Sequence, residues 1–256
     1  MKIQILGAHS SESNTARCIS FLVDNVLAID AGGLAATLSL GGQKRLRSIL
    51  LTHAHFDHIK DIPLIALNKY RVNASIRVHS LGEVNAAVIN HLLNGNIYPL
   101  LQKLPAEKPA VSFHNITPYQ EEIIEGYRVL AVPVNHTVSA VGYQVTDTAG
   151  KAMFYTADTG PGLADRWRRL SFQVLVIDTT FPNSYEEYAR ETGHLTPRLL
   201  LAELEALREI KGGLPRVIVV HRDPLLEKKV AKEIAAVAAV LGIPITVASE
   251  GMRFVL

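Results

Sequence analysis

Short apolar, β-branched runs recur along the chain at 3–6, 19–23, 26–29, 48–51, 76–79, 128–132, 141–145, 152–155, 174–177, 217–220, 245–248 and 253–255. Each is bounded by turn formers or a polar cluster, the signature of strands. Helical patterns lie between them at 57–68 and 81–93. A third helix is well punctuated: Thr196 can cap it, Pro197 fits its first turn, and Gly212-Gly213 stops it after 199–210. A fourth runs over 224–241 and ends at Gly242. Strands then helices in the first half, and the same order in the second, predict an α/β fold of four αββα layers, two mixed β-sheets face to face with helices outside. No linker rich in Pro, Gly or Ser divides the halves, so residues 1–256 are expected to form one domain. The stretch 94–118, with Pro99, Pro105 and Pro109, is the most irregular and reads equally as a lid or a surface excursion.

Composition narrows the setting. With 256 residues, 48% of them apolar and 20% charged, the chain can bury a full core. A net charge of +2 advertises neither nucleic acid nor a membrane surface. No apolar run approaches the ~20 residues needed to span a bilayer, and the N-terminal apolar stretch is too short for a signal peptide. Cys18 is the only cysteine, which excludes an internal disulfide and points to the cytoplasm. It sits in a strand-like run, where a small buried side chain is expected rather than a nucleophile.

The chemistry concentrates directly after the run 48–51. Thr52-His53-Ala54-His55-Phe56-Asp57-His58 packs three imidazoles and a carboxylate into seven residues. Two histidines at spacing two can point the same way at a strand end, while the Asp-His pair opens a helix and faces a second position nearby. One segment can therefore serve two metal ions that share a hydroxide. Such a segment needs partners to complete two coordination spheres. His136, Asp158 and His221 each follow a strand-like run, where a scaffold presents reactive groups, and His194 precedes the capped helix at Thr196. Imidazole and carboxylate suit zinc, manganese or ferrous iron.

The order H-x-H-x-D-H, then a lone His, an Asp and a last His resembles the metallo-β-lactamase superfamily over essentially the whole chain. The resemblance implies that His53, His55 and His136 hold one divalent ion, Asp57, His58 and His221 the other, and that Asp158 bridges them. Zinc is the metal expected. It also implies that Asp30, in Ala28-Ile29-Asp30-Ala31-Gly32-Gly33, supports the metal loop. Gly193-His194-Leu195-Thr196 before a helix looks like the phosphodiesterase branch, which holds ribonuclease Z and the class II cyclic-nucleotide phosphodiesterases. The segments 14–18 and 30–32 are similar to the cyclic-nucleotide enzymes. Phe56 and Asp61 depart from the glycines common in ribonuclease Z and related members. Only 22 positions separate His136 from Asp158, leaving no room there for a tRNA-gripping arm.

The expected activity is therefore hydrolysis of a phosphodiester, in a cyclic or other small nucleotide, by a hydroxide bridging two metals. Asp57 is expected to orient that hydroxide or accept its proton, and His194 to protonate the leaving alkoxide. The alternatives are a carboxylic ester or lactone hydrolase on the same metals, ribonuclease Z-like RNA processing, and a non-catalytic metal-stabilised nucleotide binder. The flavodiiron branch has Glu where this chain has His55. Among partners, RNA ranks behind a small nucleotide, no membrane is expected, and a homodimer is implied by the resemblance. His9, in a small polar loop, could contact a substrate phosphate, and Phe181, Asn183 and Tyr185 could stack on a base or simply pack. His79, His91 and His114 read as structural or surface residues.

Overall fold

Strands buried on both faces must be apolar at every position, and that requirement explains the unbroken runs in the sequence. A computed structural model describes residues 1–256. One seven-stranded sheet has the order β14-β1-β2-β3-β4-β5-β6, with β1 Lys2–Gly7, β2 Ser20–Val23, β3 Leu27–Ile29, β4 Ser48–Leu50, β5 Ile76–Ser80, β6 Val111–Asn115 and β14 Arg253–Val255. The other has the order β13-β12-β11-β10-β9-β8-β7, with β7 Glu121–Ile124, β8 Tyr127–Pro133, β9 Val141–Thr146, β10 Ala152–Tyr155, β11 Val174–Asp178, β12 Arg216–Val220 and β13 Ile245–Val247. Both sheets are mixed: β3 to β6 are parallel and β10 to β13 are parallel, while the other neighbours run antiparallel.

Alternation sorts each strand between two clusters. Leu50, Val174, Val176, Ile218 and Val220 face the core between the sheets. Ile49 and Leu51 face outward onto the first helical layer, and Leu175, Ile177, Val217 and Val219 onto the second. The first layer holds α1 Leu34–Thr37, α2 Leu40–Arg45, α3 Phe56–Ile59, α4 Ile62–Arg71 and α5 Gly82–Ala87. The second holds α6 Ala164–Arg169, α7 Glu186–Thr192, α8 Pro197–Lys211 and α9 Glu227–Leu241. This is the four-layer αββα sandwich. In α8 the Thr196 hydroxyl accepts from Leu199 N–H, Pro197 opens the first turn and Gly212 closes the helix at φ 75°. No helix is long and apolar enough to cross a membrane.

Two expectations need correction, and one open segment gains a description. The helix predicted over 57–68 is two: α3 ends at Ile59, and α4 starts at Ile62 with Pro63 in its first turn, where the ring needs no N–H partner. The pattern over 81–93 is α5 followed by a π-helical turn, Val88–Leu92. The stretch 94–118 holds β6 over Val111–Asn115, and before it Leu101 and Ala110 pack in the outer core of the first layer. The part before β6 is tied by Lys108 to the Asn73 carbonyl and by Ser75 to the Pro109 carbonyl, both at the N-terminal end of β5.

The sheets' directions place the chemistry. Strands β1, β3, β4, β8, β10, β11 and β12 all run toward one edge, so the residues that follow them meet there. Bonds between the sheets close that edge: Val141 N–H donates to the Thr52 carbonyl and His221 N–H to the Ala8 carbonyl. Gly32 lies so close beneath the metal loop that a Cβ there would stand 1.9 Å from the Asp57 carbonyl oxygen and 2.7 Å from Cys18 Cβ. The backbone cannot yield without moving Asp57. Gly32→Ala is expected to cost at least about 3 kcal/mol, which lowers the midpoint of thermal unfolding by roughly 10 °C in a chain of this size; a calorimetric midpoint matching wild type would contradict the packing.

Candidate metal centre

Thr52, two residues past the end of β4, begins the site. Thr52 and His58 are both bound by Asp30, which is fully buried: Oδ1 accepts from Thr52 N–H at 2.9 Å and Oδ2 from His58 Nδ1–H at 2.8 Å. That bond leaves His58 Nε2 aimed into the centre, the usual way a carboxylate orients a ligating imidazole. His136 donates Nδ1–H to the Gly193 carbonyl at 3.0 Å, and its Nε2 lies 3.1 Å from His55 Nδ1. Backbone strain marks the same places. Asp30, Ala157 and His221 adopt φ of 57°, 61° and 63°, conformations that cost a β-carbon-bearing residue about 1 kcal/mol or more and persist where neighbours over-determine them.

The seven residues singled out from the sequence converge. His53, His55, His136 and Asp158 form one group of donors and Asp57, His58, Asp158 and His221 a second, with the donor atoms of each group within 4.8 Å of one another. Asp158 belongs to both. Its Oδ1 is 3.3 Å from His58 Nε2, and its Oδ2 is 3.6 Å from His53 Nε2 and 3.3 Å from His221 Nε2. Asp57 Oδ2 lies 3.2 Å from His221 Nε2 and 3.4 Å from His58 Nε2.

The donor chemistry fits divalent cations. His53 Nε2, His58 Nε2 and Asp158 Oδ1 are buried without a hydrogen-bond partner in the chain, an arrangement that costs energy unless something else satisfies them. Burial holds the His53, His55 and His136 rings below the ordinary imidazole value, which favours the neutral form that ligates. Burial alone would raise Asp158, but the His221, His58 and His53 rings outweigh it and keep the carboxyl well below its usual range. Four nitrogen and oxygen donors per group match zinc, manganese or ferrous iron.

His194 stands beside these groups. Its ring stacks on His221 at 16° with centroids 5.3 Å apart and meets His136 at 5.2 Å. Its Nδ1–H donates to Asp178 Oδ2 at 2.9 Å. Burial lowers the His194 pKa, but the Asp178 carboxylate overcomes this and raises it to about 9. Asp178 also accepts from Thr180 Oγ1, which lies 2.9 Å from His221 Nδ1. Sequence reasoning missed Asp178 and Thr180. The available signal was a carboxylate closing the apolar run of β11, Val174–Asp178.

Other candidates fall outside the donor groups. Cys18 is buried, and burial, aided by the Asp57 charge, pushes its thiol up to about 11. His79 stacks on His114 at 5.0 Å along β5 and β6, and His91 lies in the π-helical turn. Phe181 meets His194 edge-on at 5.7 Å.

His9 is buried and has both ring nitrogens engaged within the chain. Its Nδ1–H donates to Glu250 Oε1 at 2.6 Å and its Nε2–H to Glu227 Oε2 at 3.0 Å. These ion pairs fasten the loop whose Ala8 carbonyl holds the strained His221 backbone. Burial lowers the His9 pKa, but the two carboxylates raise it above 6.5. Burial raises Glu250, but bonds from His9 and Arg17 N–H bring it down to about 2. The Glu250 contribution is thus present above its unfolded value of 4.5 and fades as pH falls toward about 2, while that of His9 is present below 6.5 and fades as pH rises through its folded value. Glu250→Gln is expected to cost on the order of 2–3 kcal/mol between pH 4.5 and 6.5 and progressively less below. Unfolding curves of the two proteins across pH 2.5–7 check it, and a gap that did not narrow in acid would count against the pairing.

The description "Beta-lactamase superfamily domain" matches residues 21–221. No curated protein sequence matches the chain. Solved structures do. Unliganded yeast PDE1 superposes with a TM-score of 0.84 at 16% identity, covering 100% of this chain and 99% of that one. Human tRNase Z, short form, gives 0.70 at 16% identity over 100% and 99%. A diphosphatase from the PhnP family gives 0.67 at 16% identity over 100% and 97%. At such identities the likeness is one of fold.

Proposed function

The chain belongs to the metallo-β-lactamase superfamily, and from that premise we propose that it is a two-metal hydrolase of phosphodiesters, acting on a cyclic or other small nucleotide. One observation carries the reading: the Asp178–His194 pair lies against two donor groups that share Asp158. When water attacks the phosphorus of a diester, one P–O bond breaks and its alkoxide departs, and an oriented imidazole is a group that can protonate that oxygen. Likeness of fold to proteins named PDE1, tRNase Z and diphosphatase supports the same substrate class.

In this reading His53, His55 and His136 would hold one ion and Asp57, His58 and His221 the other, with Asp158 between them. Zinc is the metal proposed. When bound, the ions would bring the pKa of a shared water toward neutrality and offset the charge on the diester oxygens. Asp57 has a side chain 24% exposed, against 2% for Asp158, so Asp57 is the carboxylate placed to take the proton of the attacking water. His194 has Nδ1 tied to Asp178 and presents Nε2 to the leaving oxygen, where it delivers a proton. Stacking on His221 fixes the plane of that ring. Pre-tRNA processing is the second reading, supported by the tRNase Z likeness. Against it, β9, β10 and their turn use the residues between His136 and Asp158, which leaves that stretch without an arm to grip a tRNA. A cytoplasmic setting suits a chain whose single cysteine can form no internal disulfide.

Metal analysis paired with a substrate panel tests this. About two equivalents of metal per chain are expected, with cyclic nucleotide and bis-p-nitrophenyl phosphate turned over faster than a nitrophenyl ester, a lactone or a β-lactam. Preference for the carboxylic ester would overturn the reaction class. Nucleotide binding without turnover in metal-replete protein would leave a binding protein.

A further inference from the structure

One flank of the centre carries aromatic surface that burial does not explain. Phe181 follows Thr180 and touches the His194 ring, with centroids 5.7 Å apart. Tyr185 lies nearly parallel to Phe181, at 21° and 6.2 Å, and Tyr188 meets Phe181 edge-on at 5.2 Å. Tyr185 is 44% exposed and Tyr188 52%. Tyr185 and Tyr188 thus keep about half of their surface in water, and they reach the His194 ring through Phe181, on which both pack. The turn that bears them is held firmly. Asn183 N–H donates to Glu233 Oε2 at 2.7 Å, and Asn183 Oδ1 accepts from Arg198 N–H at 2.7 Å. A surface ordered before binding loses little entropy when a ligand lies on it.

We propose that Phe181, Tyr185 and Tyr188 form a shelf on which the base of a nucleotide stacks, on the leaving-group side of the centre. That placement rests on the phosphodiesterase reading. His194 Nδ1 is occupied by Asp178, so the proton it gives leaves from Nε2, and the oxygen receiving it belongs to the leaving group. The leaving group therefore rests against His194, and the aromatic surface in contact with that ring is Phe181, with the two tyrosines packed on it. Charge does not make the selection here. Of the cations of this flank, Arg190 and Arg198 are engaged by Glu186 at 2.9 Å and 3.2 Å, and Lys229 is turned to Ser184 Oγ at 2.8 Å. A ring face is what such a shelf recognises, and because every base has one, the shelf accepts all four and holds the larger purines best.

Calorimetry on the metal-replete protein with AMP and with ribose 5-phosphate, which share sugar and phosphate and differ in the base, tests the shelf. AMP is expected to bind at least about tenfold more tightly than ribose 5-phosphate. Tyr185→Ala and Tyr188→Ala should each reduce that ratio roughly fivefold while leaving ribose 5-phosphate affinity unchanged, and Tyr185→Phe should restore it. Both tyrosines are exposed, so the variants are expected to fold. Equal affinities for the two ligands in wild type, or a ratio untouched by both alanine variants, would overturn the proposal even if diesters are hydrolysed. A base-dependent ratio lost in the variants, in a protein that hydrolyses no diester, would keep the shelf and remove the phosphodiesterase reading instead.

Discussion

Asp158→Ala protein is expected to lose metal from both positions and to turn over a phosphodiester at least about a thousandfold more slowly than wild type. Asp158 is the one carboxylate present in both donor groups, and its two oxygens face different histidines. Without it, His53, His55 and His136 have no negative charge in their group. The second group keeps Asp57. Asp57→Ala should therefore spare the first position and empty the second, giving about one equivalent where Asp158→Ala gives fewer. Two readouts besides activity follow. Mass-spectrometric metal analysis gives the equivalents directly. Saturating metal should also raise the unfolding midpoint of chelator-treated wild type, since a ligand at a thousandfold its dissociation constant adds about 4 kcal/mol, and the rise should vanish in Asp158→Ala. A variant that kept two equivalents and the full thermal shift would show that the shared carboxylate is not a ligand.

The parts of this protein that were legible in advance share a physical cause. Strands covered on both faces, such as β11 and β12, must be apolar throughout and stand out as runs. Strands β6 and β7 do not: each is a sheet edge with polar positions in its length, and Ser-Phe-His-Asn and Glu-Glu carry no run to see, whereas the edge strands β13 and β14 keep theirs. Helix α7 escaped notice for a similar reason, with Ala189 its one buried residue. The break between α3 and α4 was written in Pro63, which an apolar pattern alone ignores. At the site, the seven donors were legible because each follows a strand or sits in the dense motif. Asp178 also ends an apolar run, but its role, which the run does not reveal, depends on register. Strands β11 and β12 are parallel with Asp178 opposite Val220, which brings it beside His221 and, through a turn sixteen residues on, His194. No local spacing encodes a contact made by neighbouring strands.

That contact sets the second large effect, which falls on one class of leaving group. His194→Ala should keep about two equivalents of metal and lower turnover of a diester with an alkoxide leaving group by at least about a hundredfold. A p-nitrophenyl diester leaves as a stable anion that needs no proton, so its rate should fall by only several-fold. Asp178→Asn separates orientation from proton donation. It removes the charge and one acceptor lone-pair set while keeping the volume, in a buried position where the Asp178 oxygens accept from His194, Thr180 and the Thr159 N–H. The turnover loss on the alkyl substrate should be smaller than for His194→Ala, roughly tenfold, and the stability loss larger, about 1–3 kcal/mol, because a buried acceptor set is left partly unmatched. The contrast between substrates decides the role. A hundredfold loss that is equal for alkyl and p-nitrophenyl diesters would mean that His194 acts before the bond breaks, through the stacked His221 ring or through His136, and the loss would then track a fall in metal content. A loss confined to the alkyl substrate at full metal content has no explanation except a proton delivered to the departing oxygen.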